Sequence, residues 1–150
     1  MCVDDDSFPP IPPISGGAAG SRDLTLTSGD GTKFMAHAAR AAKPTGAGMV
    51  VIPDVRGLHP YYKELADRFA EIGVDAVALD FFARTAPSED RSEKFDFMSQ
   101  VPLTKPDQLQ ADIAAELIRR NIAVHAFNQR DVAGILDMIR TLGALAKEQL

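Results

Sequence analysis

A chain of 150 residues with 45% apolar and 25% charged residues fits one domain that buries an ordinary core. Its net charge of −5 argues against a surface built to neutralise phosphates, so nucleic acid is not an expected partner. Cys2 is the only cysteine, the start Met1 to Asp6 is acidic where a secretory signal is basic, and no apolar run approaches the roughly 20 residues of a membrane helix; the expected setting is the reducing cytoplasm, with no intrachain disulfide, no metal or other cofactor and no membrane partner.

Residues 1–20 include Pro9, Pro10, Pro12, Pro13, Gly16, Gly17 and Gly20, a mixture with no periodic apolar face, and read as a tail preceding a domain at 21–150. Leu24 and Leu26 alternate with Thr25 and Thr27, Ser28-Gly29-Asp30-Gly31 supplies turn chemistry, and Phe34 to Ala38 follows; together they predict a β-hairpin. Met49-Val50-Val51-Ile52 is apolar without alternation, as in a strand covered on both faces. Between Pro60 and Ile72 the spacing of Tyr61, Leu65, Phe69 and Ile72 predicts an amphipathic helix closed by Gly73, and Val74 to Leu79 reads as a second buried strand. Strand, helix and strand over 49–79 have the length of a right-handed parallel crossover. Residues 81–106 read as a long excursion above the sheet, and Leu109 to Ile118 and Val132 to Leu142 as helices.

Two stretches carry a resemblance. Met49-Val50-Val51-Ile52-Pro53-Asp54-Val55-Arg56-Gly57-Leu58 is similar to a strand and turn of the dienelactone hydrolase family, and Val77 to Pro87 looks like that family's segment of strand, Pro-Asp-aromatic-aromatic-x-Arg. The motifs lie in the right order about one helix apart, and the resemblance extends over residues 22 to about 143. It implies an α/β fold, specifically a partial α/β-hydrolase: a β-hairpin, a parallel βαβ unit and further helices, with 21–150 ending before the strand that bears the nucleophile. Strand 74–79 should then lie between the hairpin and strand 49–52.

The resemblance also assigns roles. The family's turn after the first buried strand carries an acidic residue, usually glutamate, that contacts the resting nucleophile, and the next backbone N–H helps form the oxyanion hole; the matching positions are Asp54 and Val55. A fixed N–H stabilises the negative charge that acyl transfer develops on a carbonyl oxygen. The other reading of Asp54 is a residue that caps the turn or favours a helix start. Arg84 matches the arginine that binds the carboxylate of an anionic substrate, a task suited to a planar fork of donors; the alternative is a solvated loop arginine paired with Glu89 or Asp90. His59, just before Pro60, reads as a surface or pocket-rim residue, and His37 and His125 as structural.

A hydrolase of this fold needs a nucleophile on a Gly-x-Ser-x-Gly or Gly-x-Cys-x-Gly elbow, followed by an acid and a histidine. The sequence holds no such elbow, and Cys2 lies in the Pro-rich tail where nothing lowers its pKa. The expectation is therefore a dienelactone hydrolase-type chain acting on a small anionic ester or lactone, inactive alone and completed by pairing with a C-terminal half or given to self-association. The alternative is a non-catalytic binding or interaction module on the same fold. A nucleotide-binding domain is disfavoured, because Pro53-Asp54-Val55-Arg56-Gly57 lacks the glycines that admit phosphate to the backbone.

Overall fold

The computed structural model describes residues 6–86, 91–92 and 94–120, with side chains through 114; the helix expected at 132–142 lies outside them, as do Cys2 and His125. Strands β1 (Ala18–Thr27) and β2 (Lys33–Ala41) form the expected hairpin, with Leu24 opposite Ala36 and Leu26 opposite Phe34. Strands β3 (Gly48–Val51) and β4 (Asp75–Leu79) flank helix α1 (Pro60–Glu71) and pair in parallel, Val50 beside Val77. The strand order is β1-β2-β4-β3, so β4 does lie between the hairpin and β3. After β4 the chain forms a short helix α2 (Phe97–Gln100), a 3-10 turn (Val101–Leu103) and helix α3 (Pro106–Arg120), within which the helix expected at 109–118 falls.

β1 begins inside the segment read as a tail. Ala18 pairs with Ala41 across a bulge, the Ala42 N–H donates to the Gly17 carbonyl at 3.0 Å, and the Ile14 N–H donates to Glu71 Oε2 at 2.8 Å. A Cβ at Gly17 would collide with the Glu71 backbone, so the absent side chain lets this segment lie against the end of α1.

The sheet is covered on both faces, which is why Met49 to Val51 of β3 and Ala76 to Leu79 of β4 read as unbroken apolar runs. On one face Phe34, Ala36, Val50, Val77 and Leu79 pack with Leu26 and with Ile113 of α3. On the other, Ala39, Val51, Ala76 and Ala78 meet Tyr62, Ala66 and Ala70 of α1. The contact line of α1 differs from the stripe its large residues suggest: Tyr62, Ala66 and Ala70 are buried, Tyr61, Leu65 and Phe69 pack at the flanks, and Ile72 is 53% exposed. Alanines on the strands make a flat surface that a helix approaches closely only along its own small residues. Ala66→Leu is therefore expected to cost about 1–3 kcal/mol through overpacking, read as a lower urea midpoint at unchanged slope.

A polar cluster ties α1 to the hairpin on the same face. His37 is 8% exposed; its Nδ1 lies 2.7 Å from Asp23 Oδ1 and its Nε2 3.1 Å from Asp67 Oδ1, while Lys63 Nζ donates to Asp23 Oδ2 at 2.8 Å. His37 thus bridges the hairpin and α1.

Candidate active site

The register places the functional segments at one end of the sheet. Val51 pairs with Ala78 and Ala36 with Leu79, so the segments leaving β3 and β4 and the β1–β2 turn all emerge at the carboxyl ends of the parallel strands. Open α/β sheets bind ligands there.

The turn after β3 is shaped by its own hydrogen bonds. Asp54 Oδ1 accepts from the Arg56 N–H at 3.0 Å, the Gly57 N–H donates to the Asp54 carbonyl at 3.1 Å, and the His59 N–H donates to the Gly57 carbonyl at 2.7 Å. Helix α1 starts five residues later than a helix-initiating role for Asp54 requires; the cap is His59, whose Nδ1 accepts from the Tyr61 N–H at 3.3 Å ahead of Pro60 in the first turn. His59 is only 3% exposed, so it is neither a surface nor a rim residue.

Two polar groups of this turn remain open. Among the described residues no acceptor meets the Val55 N–H, and no hydrogen bond of ordinary geometry is made to Asp54 Oδ2, although that oxygen is screened from solvent and the Tyr62 hydroxyl stands beside the carboxylate. A buried carboxylate oxygen without a donor is costly, and native structures ordinarily supply one. The Tyr62 phenol lies near this carboxylate: burial and the Asp54 charge hold its pKa well above the ordinary tyrosine value, so it stays protonated.

The turn is braced from beneath by an ion pair between Asp80, the aspartate of the second motif, and Arg91, a partner with no local signal in the sequence. Asp80, just past β4, is 2% exposed and accepts from Arg91 Nε at 3.0 Å and Nη2 at 2.8 Å. Its Oδ1 also accepts from the Leu58 N–H at 3.4 Å. The Arg91 guanidinium stacks 4.4 Å from the Phe95 ring centroid, and Phe95 meets Phe82 edge-on at 5.2 Å. Gly57 sits against this group with φ at 69°; a Cβ there would lie 2.8 Å from Asp80 Oδ1 and 2.9 Å from Phe82. Asp80, Arg91 and Phe82 thus set the position of the turn that carries Asp54 and Val55.

Arg84 is engaged elsewhere in the same end of the sheet. Asp112 of α3 takes one side of its fork, Oδ1 accepting from Nη2 at 2.6 Å and Oδ2 from Nε at 3.3 Å. Asp30 of the hairpin turn takes the outer end, Oδ2 accepting from Nη1 at 2.6 Å and Oδ1 from Nη2 at 3.2 Å, with Thr32 Oγ1 and Ser28 Oγ alongside at 2.7 and 3.3 Å. Glu89 and Asp90, the partners considered from sequence, lie outside the described residues. The Arg84 bond and the Thr32 N–H hold the Asp30 carboxyl far below its ordinary value of 3.8. Because the folded value is depressed, the stability this contact supplies is complete above the unfolded value and is lost as pH falls toward the folded one. The stability gap between the protein and its Asp30→Ala variant should accordingly hold from neutral pH to about pH 5 and close on further acidification, as read by urea midpoints across that range.

Comparison with known proteins agrees with this arrangement. The sequence profile of the dienelactone hydrolase family matches residues 34–130. The chain is 30% identical over 138 residues to a carboxymethylenebutenolidase of Rhodococcus opacus, covering 91% of this chain and 49% of that protein. It is 34% identical over 76 residues to an Azospirillum brasilense protein, covering 48% of this chain and 32% of that one. The chain thus spans about half the length of the Rhodococcus relative. Among solved structures, a dienelactone hydrolase-like promiscuous phosphotriesterase from metagenomic libraries superposes with a TM-score of 0.50 at 24% identity, over 68% of this chain and 42% of that one, which is a likeness of fold. A sheet ordered β1-β2-β4-β3 between α1 and α3, an Asp54-Val55 turn at its carboxyl end and a family profile spanning most of the chain lead to one assignment: the chain belongs to the dienelactone hydrolase family.

Proposed function

We propose that this chain furnishes the oxyanion-side half of a hydrolase active site for small anionic esters or lactones. The observation that carries the reading is the turn after β3, where an open Val55 N–H and a buried Asp54 Oδ2 without a hydrogen bond of ordinary geometry sit together at the carboxyl end of the sheet. The N–H suits a carbonyl oxygen that gains charge, and the carboxylate oxygen suits the proton of a resting thiol or hydroxyl. Arg84 supplies the anion preference. The nucleophile, its acid and its histidine come from residues outside these 150, which contain no elbow motif. Support for the substrate class comes from the family and from the carboxymethylenebutenolidase relative.

Assayed alone with an activated aryl ester, the purified chain is expected to show no turnover above a protein-free blank. Saturable hydrolysis with a burst would refute the assignment of the nucleophile to residues elsewhere. The positive arm joins the chain to the portion of the Rhodococcus relative that it does not match. That chimera should hydrolyse an anionic lactone, and the paired change Arg84→Gln with Asp112→Asn, which removes both charges without stranding a buried one, should raise KM for it at least about tenfold while sparing a neutral ester of the same shape. A chimera that folds and binds the lactone without turnover would favour the non-catalytic binding module instead.

A further inference from the structure

Two complementary groups lie side by side behind the turn after β3. One is Asp54 Oδ2, screened from solvent and outside any hydrogen bond of ordinary geometry. The other is the Tyr62 hydroxyl beside it. Tyr62 belongs to the first turn of α1, is 9% exposed and shares a core cluster with Val51 and Leu58, which bracket the turn. Helical side chains lean toward the amino end of their helix, so this ring reaches back to the turn rather than along α1. A buried phenol ordinarily finds a partner for its hydroxyl, and a buried carboxylate oxygen finds a donor. Asp54 Oδ1 is already tied to the Arg56 N–H at 3.0 Å. The χ2 torsion of an aspartate is soft, so a small rotation brings Oδ2 onto the hydroxyl without a change in backbone.

We propose that Tyr62 is the positioning residue of Asp54: its hydroxyl donates to Oδ2 and fixes the plane of the carboxylate, leaving a second lone pair of that oxygen for the nucleophile's proton. The inference rests on the functional reading above for that last partner. Aspartate has one rotatable bond fewer than glutamate, so one donor from the turn and one from α1 suffice to hold its carboxylate. Burial, and after it the Asp54 charge, keeps the phenol protonated well above the usual tyrosine range, so the donor is present throughout neutral pH. Tyr62 thereby acts on the reaction through Asp54 and meets no substrate.

The test uses the tyrosines as their own reporters. Tyr61 and Tyr62 are the only two and there is no tryptophan, so Tyr61→Phe leaves one phenol to observe. In that background a 13C label at tyrosine Cζ gives one carbon signal, read at neutral pH beside the hydroxyl proton. Asp54→Asn keeps Oδ1 as an acceptor and replaces only Oδ2, and it should move both signals. Glu64→Gln, at an exposed carboxylate of the same helix, should move neither. In the otherwise unmodified chain, the losses in urea midpoint from Tyr62→Phe and Asp54→Asn should not add, the double variant losing no more than the larger single loss. In the chimera with the Rhodococcus portion, Tyr62→Phe should lower kcat for the lactone at least about tenfold with KM nearly unchanged. Signals indifferent to Asp54→Asn, midpoint losses that add, or an active chimera whose kcat ignores Tyr62→Phe would each overturn the inference. A chimera that never turns over would count against the hydrolase reading, and the contact between Tyr62 and Asp54 would then stand or fall on the two measurements made in the chain.

Discussion

Replacing Arg91 with alanine is expected to lower stability by about 3–5 kcal/mol, the cost of stranding one member of a buried ion pair. Asp80, 2% exposed, would lose both bonds from the guanidinium, at 3.0 and 2.8 Å. The Phe95 ring would lose its stacked partner as well. Asp80→Asn combined with Arg91→Met should cost much less, since neither variant side chain leaves a charge behind and methionine fills much of the vacated volume. Urea denaturation of the single and double variants provides the comparison. The loss should also reach the turn above: with Asp80 repositioned, the amide resonances of 54–58 are expected to shift even where the fold survives. A single variant within about 1 kcal/mol of the parent would mean that the pair contributes nothing the packing of Phe82 and Phe95 does not supply.

That pair also shows where the sequence stops being readable. The two parallel strands were legible because burial on both faces forbids alternation, and Met49 to Ile52 and Ala76 to Leu79 satisfy that rule over consecutive residues. Helix α1 was legible in extent, but its contact line was not: large apolar residues mark the stripe a helix buries when its partner has room, and here Ala39, Ala76 and Ala78 leave room only for Ala66 and Ala70. Arg91 and the acceptors of Arg84 were illegible for a different reason. Asp30 is 54 residues from Arg84 in sequence and Asp112 is 28, and neither a turn aspartate nor a helix aspartate announces which arginine it will meet. Of the site, the sequence fragment Asp54-Val55 could be placed through the family motif. What holds that fragment in position is tertiary, and had no local signal.

The open flank of β3 gives the second large effect. Among the described residues β3 pairs with β4 alone, so the N–H and C=O groups on its other side meet no strand. The run Gly48-Met49-Val50-Val51 has no charge and no proline to blunt that flank. We propose that it accepts a strand, from the nucleophile-bearing half of the hydrolase or from a second copy of the chain. In a dilute sample that sediments as a monomer, the amides of 48–51 that bond to β4 should exchange at least about a hundredfold more slowly than those facing away. Raising the concentration should protect the outward set as chains pair, and Met49→Lys should prevent it. Met49 is the better position for the lysine, because it is only partly buried, whereas Val51 is 7% exposed beneath α1 and a charge there would be paid for in stability. Protection of the outward amides in the monomer itself would show that another segment of the same chain already occupies the flank, and the pairing proposal would fall.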